Sequence, residues 1–276
     1  MTPLESKEEA LLELLAAKQS LIVAYSGGVD SSYLAYAAHR ALGPRSLAVT
    51  ADSPSYPRSH CEIAARVVRQ LGIEHRIVRT RELEDPSYAS NPTNRCYFCK
   101  TELFDVLERI RGELGYQAVA YGVNTDDVSD FRPGHQAAEE HRVLSPFLAV
   151  GLSKQELREL SRACGLPTAD LPASACLSSR IPYGMAVTVE KLRQIDRAED
   201  ALRELGYRQV RVRHHGDLAR VELAPEELPR ALDLAQAQAI SRVLHDLGFR
   251  WVSLDLDGYR TGSLNEILTP HGPTAH

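Results

Sequence analysis

The run Leu21-Ile22-Val23-Ala24-Tyr25 passes directly into Ser26-Gly27-Gly28-Val29-Asp30-Ser31-Ser32, and a helical pattern follows to Leu42. A short continuous apolar run fits a strand buried on both faces, as in a parallel sheet covered by helices. Two consecutive glycines at its end let the backbone take positive φ and approach an anion closely. The helix that follows offers unpaired N–H groups and the positive end of its dipole to the same anion. Strand, glycine loop and helix therefore read as a phosphate cradle, with Ser26 and Ser31 as hydroxyl donors. Asp30 is out of place beside phosphate oxygens unless a divalent cation lies between them, so it reads as a magnesium-side or loop-ordering residue. A glycine turn capped by serine is the plain alternative. The complete string after a first strand weighs against it.

The rest of the chain repeats the alternation. Residues 5–18 read as an amphipathic helix with an apolar face of leucines. Strands are expected at 46–50, 74–78 and 117–121, and helices at 58–71 and 100–114. Strands alternating with helices mean a parallel sheet with right-handed crossovers. Thr50 ends the second strand and Gly122 follows the fourth, where open α/β sheets hold ligands. A plain turn glycine is the competing reading of Gly122, and Asp126 and Asp127 read as solvated loop acids. Residues 124–152 look loop-rich. Ser153-Lys154-Gln155-Glu156 is a capping box opening a helix to Cys164, which Gly165 and Pro167 stop. From Thr188 the rhythm changes to helix 188–205, strands 208–213 and 218–223 joined at Gly216-Asp217, helix 226–247 and strand 250–256. The expected organisation is an α/β domain over 1–170, a Pro- and Ser-rich connecting segment over 171–187, and a smaller α+β domain over 188–276.

Composition narrows the function. The net charge is −5, which argues against a general nucleic-acid or membrane-surface binder. No apolar run approaches the roughly 18–20 residues of a membrane span. The acidic, polar start Met1-Thr2-Pro3-Leu4-Glu5 does not read as an export signal, so a cytoplasmic chain is expected. Five cysteines, an odd number, then argue against a disulfide framework.

Cys96 and Cys99 form a C-x-x-C at a helix start. A redox dithiol would normally follow the first strand, not the third. A zinc site needs about four N/S ligands, and no second C-x-x-C exists. An iron–sulfur cluster on three thiolates requires a distant cysteine to fold back, and two unrelated free thiols are the remaining reading. Cys176 lies in Ala175-Cys176-Leu177-Ser178-Ser179-Arg180-Ile181-Pro182-Tyr183-Gly184, too irregular and polar for a core helix, and Arg180 nearby would favour its thiolate. Cys61 and Cys164 read as structural. Arg211-Val212-Arg213 alternates on a strand and places two guanidiniums on one face, which suits a phosphate. A solvated strand face is the alternative. Trp251 and Tyr259 read as core.

The Ser-Gly-Gly-Val-Asp-Ser string resembles the PP-loop of the N-type ATP pyrophosphatases, which cleave ATP between the α and β phosphates and pass AMP to a substrate oxygen. Together with the Ala175–Gly184 segment, the stretch from Val210 to Glu222 and the tail Asp255-Leu256-Asp257-Gly258-Tyr259-Arg260-Thr261-Gly262, it resembles the LarE family of ATP-dependent sulfurtransferases in order over nearly the whole chain. The resemblance implies a PP-loop sheet with a second, smaller α+β domain. ATP and Mg2+ would lie against Ala24, Ser26, Gly27, Gly28, Asp30, Ser31, Thr50 and Gly122. The substrate would be pyridinium-3,5-biscarboxylic acid mononucleotide of nickel-pincer cofactor synthesis, its phosphate on Ser179, Arg180, Arg211, Arg213 and Arg260. Cys176 and Asp30 would be the catalytic residues. In single-cysteine members the residue at the position of Cys176 gives up its own sulfur. This chain is similar to the branch with three cysteines, where Cys96, Cys99 and Cys176 would hold a [4Fe-4S] cluster. The resemblance further implies a homo-oligomer, hexameric or trimer-based, with no nucleic-acid or membrane partner. Thiolation of transfer RNA by a related iron–sulfur PP-loop enzyme and sacrificial donation from Cys176 are the rival readings.

Overall fold

A computed structural model describes residues 2–127, 133–172 and 175–260. The chain divides into two compact units, Met1–Ser174 and Ala175–His276. In the first, α1 (Pro3–Ala16), β1 (Leu21–Ala24), α2 (Val29–Leu42), β2 (Ser46–Asp52), α3 (Arg58–Gln70), β3 (His75–Arg79), α4 (Pro86–Ala89), α5 (Arg95–Leu114), β4 (Ala118–Tyr121), α6 (Pro133–Glu140), α7 (Pro146–Ala149) and α8 (Lys154–Ala163) follow in order. The second contains α9 (Val189–Glu204), β5 (Val210–His215), β6 (Leu218–Leu223), α10 (Leu228–Ala231), α11 (Leu234–Asp246) and β7 (Trp251–Leu254).

The four strands of the first unit are parallel in the order β3-β2-β1-β4. The chain builds outward from β1 on one side, through β2 to β3, and then returns to place β4 on the other. β1 and β4 therefore flank a topological switch point, where open α/β sheets hold ligands beyond their carboxyl ends. All four residues of β1 are buried. Their alternation sorts them: Leu21 and Val23 join the core formed with α1, α2 and α8, whereas Ile22 and Ala24 join the one formed with Phe104, Leu107 and Ala137 of α5 and α6. Period-two alternation on a strand covered on both faces has this outcome.

Local signals set most of the helix ends. Thr2 and Glu5 form a capping box that starts α1 at Pro3, earlier than the leucine pattern alone indicates. Ser153 and Glu156 cap α8 in the same way. α5 starts at Arg95 and takes the C-x-x-C into its first turn; the Arg95 guanidinium donates to Asn91 Oδ1 at 2.7 Å and fixes that start. The stretch 124–152 is less loop-like than its sequence reads, because α6 and α7 lie within it.

In the second unit β5 and β6 are antiparallel and β7 runs parallel to β6, with Gly216 at φ 69° in the turn between the first two. The helix expected over 226–247 is broken. Asp233 ends the first piece and caps the second by accepting from the N–H groups of Ala235 and Gln236, a local competition that aspartate wins against helix continuation. Trp251 is not core: it is 61% exposed, with the Arg250 guanidinium over its ring. No helix among the described residues is long and apolar enough to cross a membrane.

Leu34 of α2 is fully buried in the core of the first unit. Leu34→Ala should destabilise the protein by about 3 kcal/mol through the cavity it leaves. A lower urea midpoint at unchanged slope would report it.

Candidate functional site

The loop Ser26–Ser31 leaves the carboxyl end of β1 and is held from three sides. Ser31 Oγ accepts from the Ser26 N–H at 3.1 Å, lies 3.0 Å from Ser26 Oγ, and donates to the Gly28 carbonyl at 3.3 Å. Gly27 has φ 67°, and a Cβ there would lie 2.6 Å from the Ala64 Cβ of α3. Glycine is therefore required twice, by conformation and by contact. The Tyr56 hydroxyl donates to the Ser26 carbonyl. The Tyr25 hydroxyl donates to the Ala64 carbonyl at 3.2 Å. Thr50 is buried, its hydroxyl donating to the Tyr25 carbonyl at 2.9 Å and lying 2.9 Å from His75 Nε2. The structure thus places Thr50 as a brace behind the loop, and Ala24 as the last residue of the strand beneath it.

Gly122 is more than a turn glycine. It is not among the residues of positive φ, yet a Cβ on it would lie 3.0 Å from both the Asp30 carbonyl carbon and the Ser31 nitrogen. Close approach of the β4 end to the first turn of α2 demands it. Asp126 and Asp127 are ordered, not merely solvated: Asp127 Oδ2 accepts from Asn124 Nδ2 at 2.9 Å, and Asp126 Oδ2 accepts from the Lys154 N–H at 2.9 Å.

Asp30 sits in the first turn of α2. Its Oδ2 pairs with Lys154 Nζ at 2.7 Å, while its Oδ1 is buried with no hydrogen-bond partner among the described residues. Burial raises the Asp30 carboxyl above the ordinary aspartate range, against the pull of Lys154. A buried orphan oxygen calls for an explanation, and a hard divalent cation on that oxygen supplies one.

In the second unit the Cys176 carbonyl accepts from the Ser179 N–H at 3.0 Å, Ser179 Oγ at 2.8 Å and an Arg180 guanidinium nitrogen at 3.0 Å. The backbone at this partly exposed cysteine is therefore fixed. Arg180 is itself enclosed, its other edge paired with Glu199 at 2.8 Å. Glu199 is fully buried and also accepts from Arg203 and from the Val212 N–H. Burial alone would raise its carboxyl, but Arg180, Arg211 and Arg203 outweigh it and hold Glu199 below the usual carboxylate range. Arg211 and Arg213 are buried, not solvated. Arg213 is bidentate to Glu222 at 2.9 and 2.7 Å and donates to the Ser179 carbonyl at 2.8 Å. Arg211 lies 5.1 Å above the half-buried Tyr259 ring. Burial, then the nearby Arg180 charge, lower its pKa from the usual arginine value. Arg260 pairs with Asp257 at 2.8 Å. The structure brings Ser179, Arg180 and Arg213 together and puts Cys176 at the same turn.

Cys96 is exposed and Cys99 half-buried, one helical turn apart at the start of α5. Cys164 packs on the first unit's core, and Cys61 lies on α3 near Tyr56. Among the described residues no three His, Cys, Asp or Glu side chains converge as a metal-holding group. The chemistry of the donor set, soft thiols with two at i and i+3, fits iron–sulfur ligation.

Comparison with known proteins gives the family. Residues 9–120 match the NAD synthase family. Over the full length, the chain is 33% identical to the pyridinium-3,5-bisthiocarboxylic acid mononucleotide synthase of Lactiplantibacillus plantarum, covering 98% of this chain and 97% of that one. The chain belongs to the LarE family. An uncharacterized protein of Synechocystis is 46% identical over 96% of this chain and 99% of its own. Another, from Methanocaldococcus jannaschii, is 26% identical over 88% and 92%. Membership of the LarE family makes this an ATP-using enzyme built on a PP-loop sheet.

Sequence reasoning missed Lys154, Glu199, Glu222, Tyr56 and Ala64. The capping box does place Lys154 at a helix start, but no local pattern points it at Asp30. Glu199 and Glu222 look like ordinary surface acids of an amphipathic helix and a strand.

The charge on Glu199 stabilises the fold fully above the unfolded carboxylate value of about 4.3, and that contribution disappears as pH falls through the lower folded value. Glu199→Gln should cost about 3 kcal/mol at pH 7, since it leaves buried guanidiniums uncompensated. The gap to the native protein should narrow below about pH 4. Urea unfolding between pH 3 and 7 would measure both.

Proposed function

We propose that this chain is an ATP-dependent sulfurtransferase of nickel-pincer cofactor synthesis, acting in the cytoplasm on pyridinium-3,5-biscarboxylic acid mononucleotide. A substrate carboxylate oxygen attacks the α-phosphorus of ATP and pyrophosphate leaves. Sulfur then attacks the acyl carbon and AMP departs with the oxygen, giving a thiocarboxylate; a second round converts the other carboxylate. The observation that carries this reading is the end-to-end alignment with the synthase, through both units, where the NAD synthase match stops at residue 120. Thiolation of transfer RNA has no such support, and the acidic net charge weighs against it.

The geometry supports one division of roles. The first unit binds ATP through Ser26–Ser31, Ala24 and Gly122, with Thr50 behind, and Asp30 would hold Mg2+ through its unpartnered Oδ1. The second unit takes the substrate phosphate on Ser179, Arg211, Arg213 and Arg260, while Arg180 positions the turn that carries Cys176. Residues 171–187 join the two as the cysteine-bearing segment. Cys96, Cys99 and Cys176 would be the thiolates that hold a [4Fe-4S] cluster. When bound, such a cluster would supply a site for exchangeable sulfide and so make turnover catalytic. The assembly is a homo-oligomer, hexameric or trimer-based. Exposed Leu232, Leu234, Trp251 and Leu256 supply apolar surface for its subunit contacts.

Purified protein should form AMP and pyrophosphate from ATP only when the mononucleotide is present; AMP formation without it, or none with it, contradicts the reading. Anaerobic reconstitution should load about four irons per chain, and Cys96→Ala should abolish that loading. Iron content and the visible absorption spectrum decide this without reference to activity.

A further inference from the structure

An acyl adenylate yields to whichever nucleophile reaches its carbonyl carbon, and water competes with sulfur for it. Sulfur therefore has to be presented from a fixed point, since a misplacement of about 1 Å can cost about 100-fold in rate. Cys176 follows Leu171 by five peptide steps, at most about 18 Å of extended chain. The hold on Leu171 thus limits where that thiol can go.

That hold comes from α8. Beyond the helix the chain turns twice: the Leu166 N–H donates to the Ser161 carbonyl at 2.9 Å, and the Ala169 and Leu171 N–H groups donate to the Leu166 and Thr168 carbonyls, each at 3.1 Å. Thr168 and Ala169 are buried, and Leu166 joins Leu157 and Leu160 of α8 in the core. The carbonyls of Ala169 and Leu171 both accept from Arg158, whose two terminal guanidinium nitrogens lie 2.5 and 2.8 Å from them. A planar fork of fixed donors spans two carbonyls as a single ammonium does not.

The same arginine reaches toward the phosphate loop. It follows Lys154 by four residues, so the two share a face of α8, and Lys154 Nζ lies 2.7 Å from Asp30 Oδ2. Burial raises the Asp30 carboxyl, Lys154 draws it down, and the Arg158 charge adds to that pull. Arg162, one turn further on, is different: it pairs at 2.9 Å with Asp170, and both side chains are exposed.

We propose that Arg158 is a positioning residue for sulfur delivery: it fixes the root of the cysteine-bearing segment to the helix that meets the phosphate loop, so that sulfur transfer and not hydrolysis follows adenylation. This rests on the reading of the chain as an AMP-forming sulfurtransferase. In the productive step sulfide forms the C–S bond at the acyl carbon, and the C–O bond to AMP breaks with its electron pair leaving on AMP. In the wasteful step water adds at that carbon and loses a proton, the carboxylate is restored, and AMP leaves in the same way. Arg158 acts through the backbone it holds and touches neither reactant.

Arg158→Gln and Arg158→Lys in the full, anaerobically reconstituted protein test the assignment, with mononucleotide, magnesium ATP and sulfide supplied. AMP and thiocarboxylate are quantified in the same reaction, and the native protein should form them in equal amounts. In Arg158→Gln the yield of thiocarboxylate per AMP should fall about 10- to 100-fold, with AMP formation unchanged. Arg158→Lys keeps the charge near Asp30 but releases one carbonyl, so it should show a smaller fall; it carries the test if the glutamine variant does not fold. Arg162→Gln should leave the yield at the native value. An unchanged yield per AMP in the Arg158 variants overturns the proposal. So does a parallel loss of AMP and thiocarboxylate, which is the result for an arginine that only stabilises the fold. If the native protein forms no AMP with mononucleotide, the functional reading itself fails, an outcome distinct from native coupling that the Arg158 variants retain.

Discussion

The first unit is organised by one close approach: the carboxyl end of β4 against the opening turn of α2. A Cβ at Gly122 would lie 3.0 Å from the backbone of Asp30 and Ser31. That contact follows from the strand order, since β1 and β4 are neighbours that the chain reaches far apart in sequence. With β4 seated there, the segment after it carries Asn124, Asp126 and Asp127 to the same edge, and Asp126 fixes the start of α8. The start of α8 in turn carries Lys154 to Asp30. A larger residue at 122 would push on the turn proposed to offer N–H groups to phosphate and on the aspartate within it. Binding geometry and charge placement share one steric condition.

The second unit is organised by charge in a place where charge is costly. Glu199 has no exposed surface, and Arg180, Arg211 and Arg213 are each at least nine-tenths buried. Replacing such a set by apolar residues would be neutral or stabilising in many proteins, so stability is a weak reason for its presence. Its geometry offers a better one. Arg180 and Ser179 together fix the Cys176 carbonyl, and Arg213 fixes the Ser179 carbonyl. The turn that bears the thiol is thus tied to the β5–β6 pair by donors of fixed direction, which apolar packing could not provide.

Much of this architecture is legible in the sequence, and the reasons are local. A buried strand, a glycine pair and a helix start leave compositional marks within a dozen residues, as do the capping boxes at Thr2 and Ser153. What escaped is non-local or is a competition between local signals. The helix over 226–247 satisfies an apolar period on both sides of Asp233, and nothing in the period shows that its carboxylate caps α11. The Arg211 and Arg213 alternation gave the shared face. It gave no sign that Glu222 stands opposite on β6, so burial of that face was not foreseen. Trp251 reads as core from its side chain alone, but the strand it opens turns that position outward. The pairing of Lys154 with Asp30 spans 124 positions, and no window-based pattern reaches that far.

The contact between Gly27 and Ala64 extends the phosphate motif beyond its own letters. Gly27 must be glycine for its backbone angle, but Ala64 is limited only by size. Its Cβ already faces the glycine Cα, and a larger side chain there would displace the loop as surely as a substitution within it. The binding signature of this protein is therefore discontinuous. A helix position that carries no hydroxyl, charge or ligand bond belongs to it, and a search confined to the glycine string would pass over chains that keep the string and have lost the room it needs.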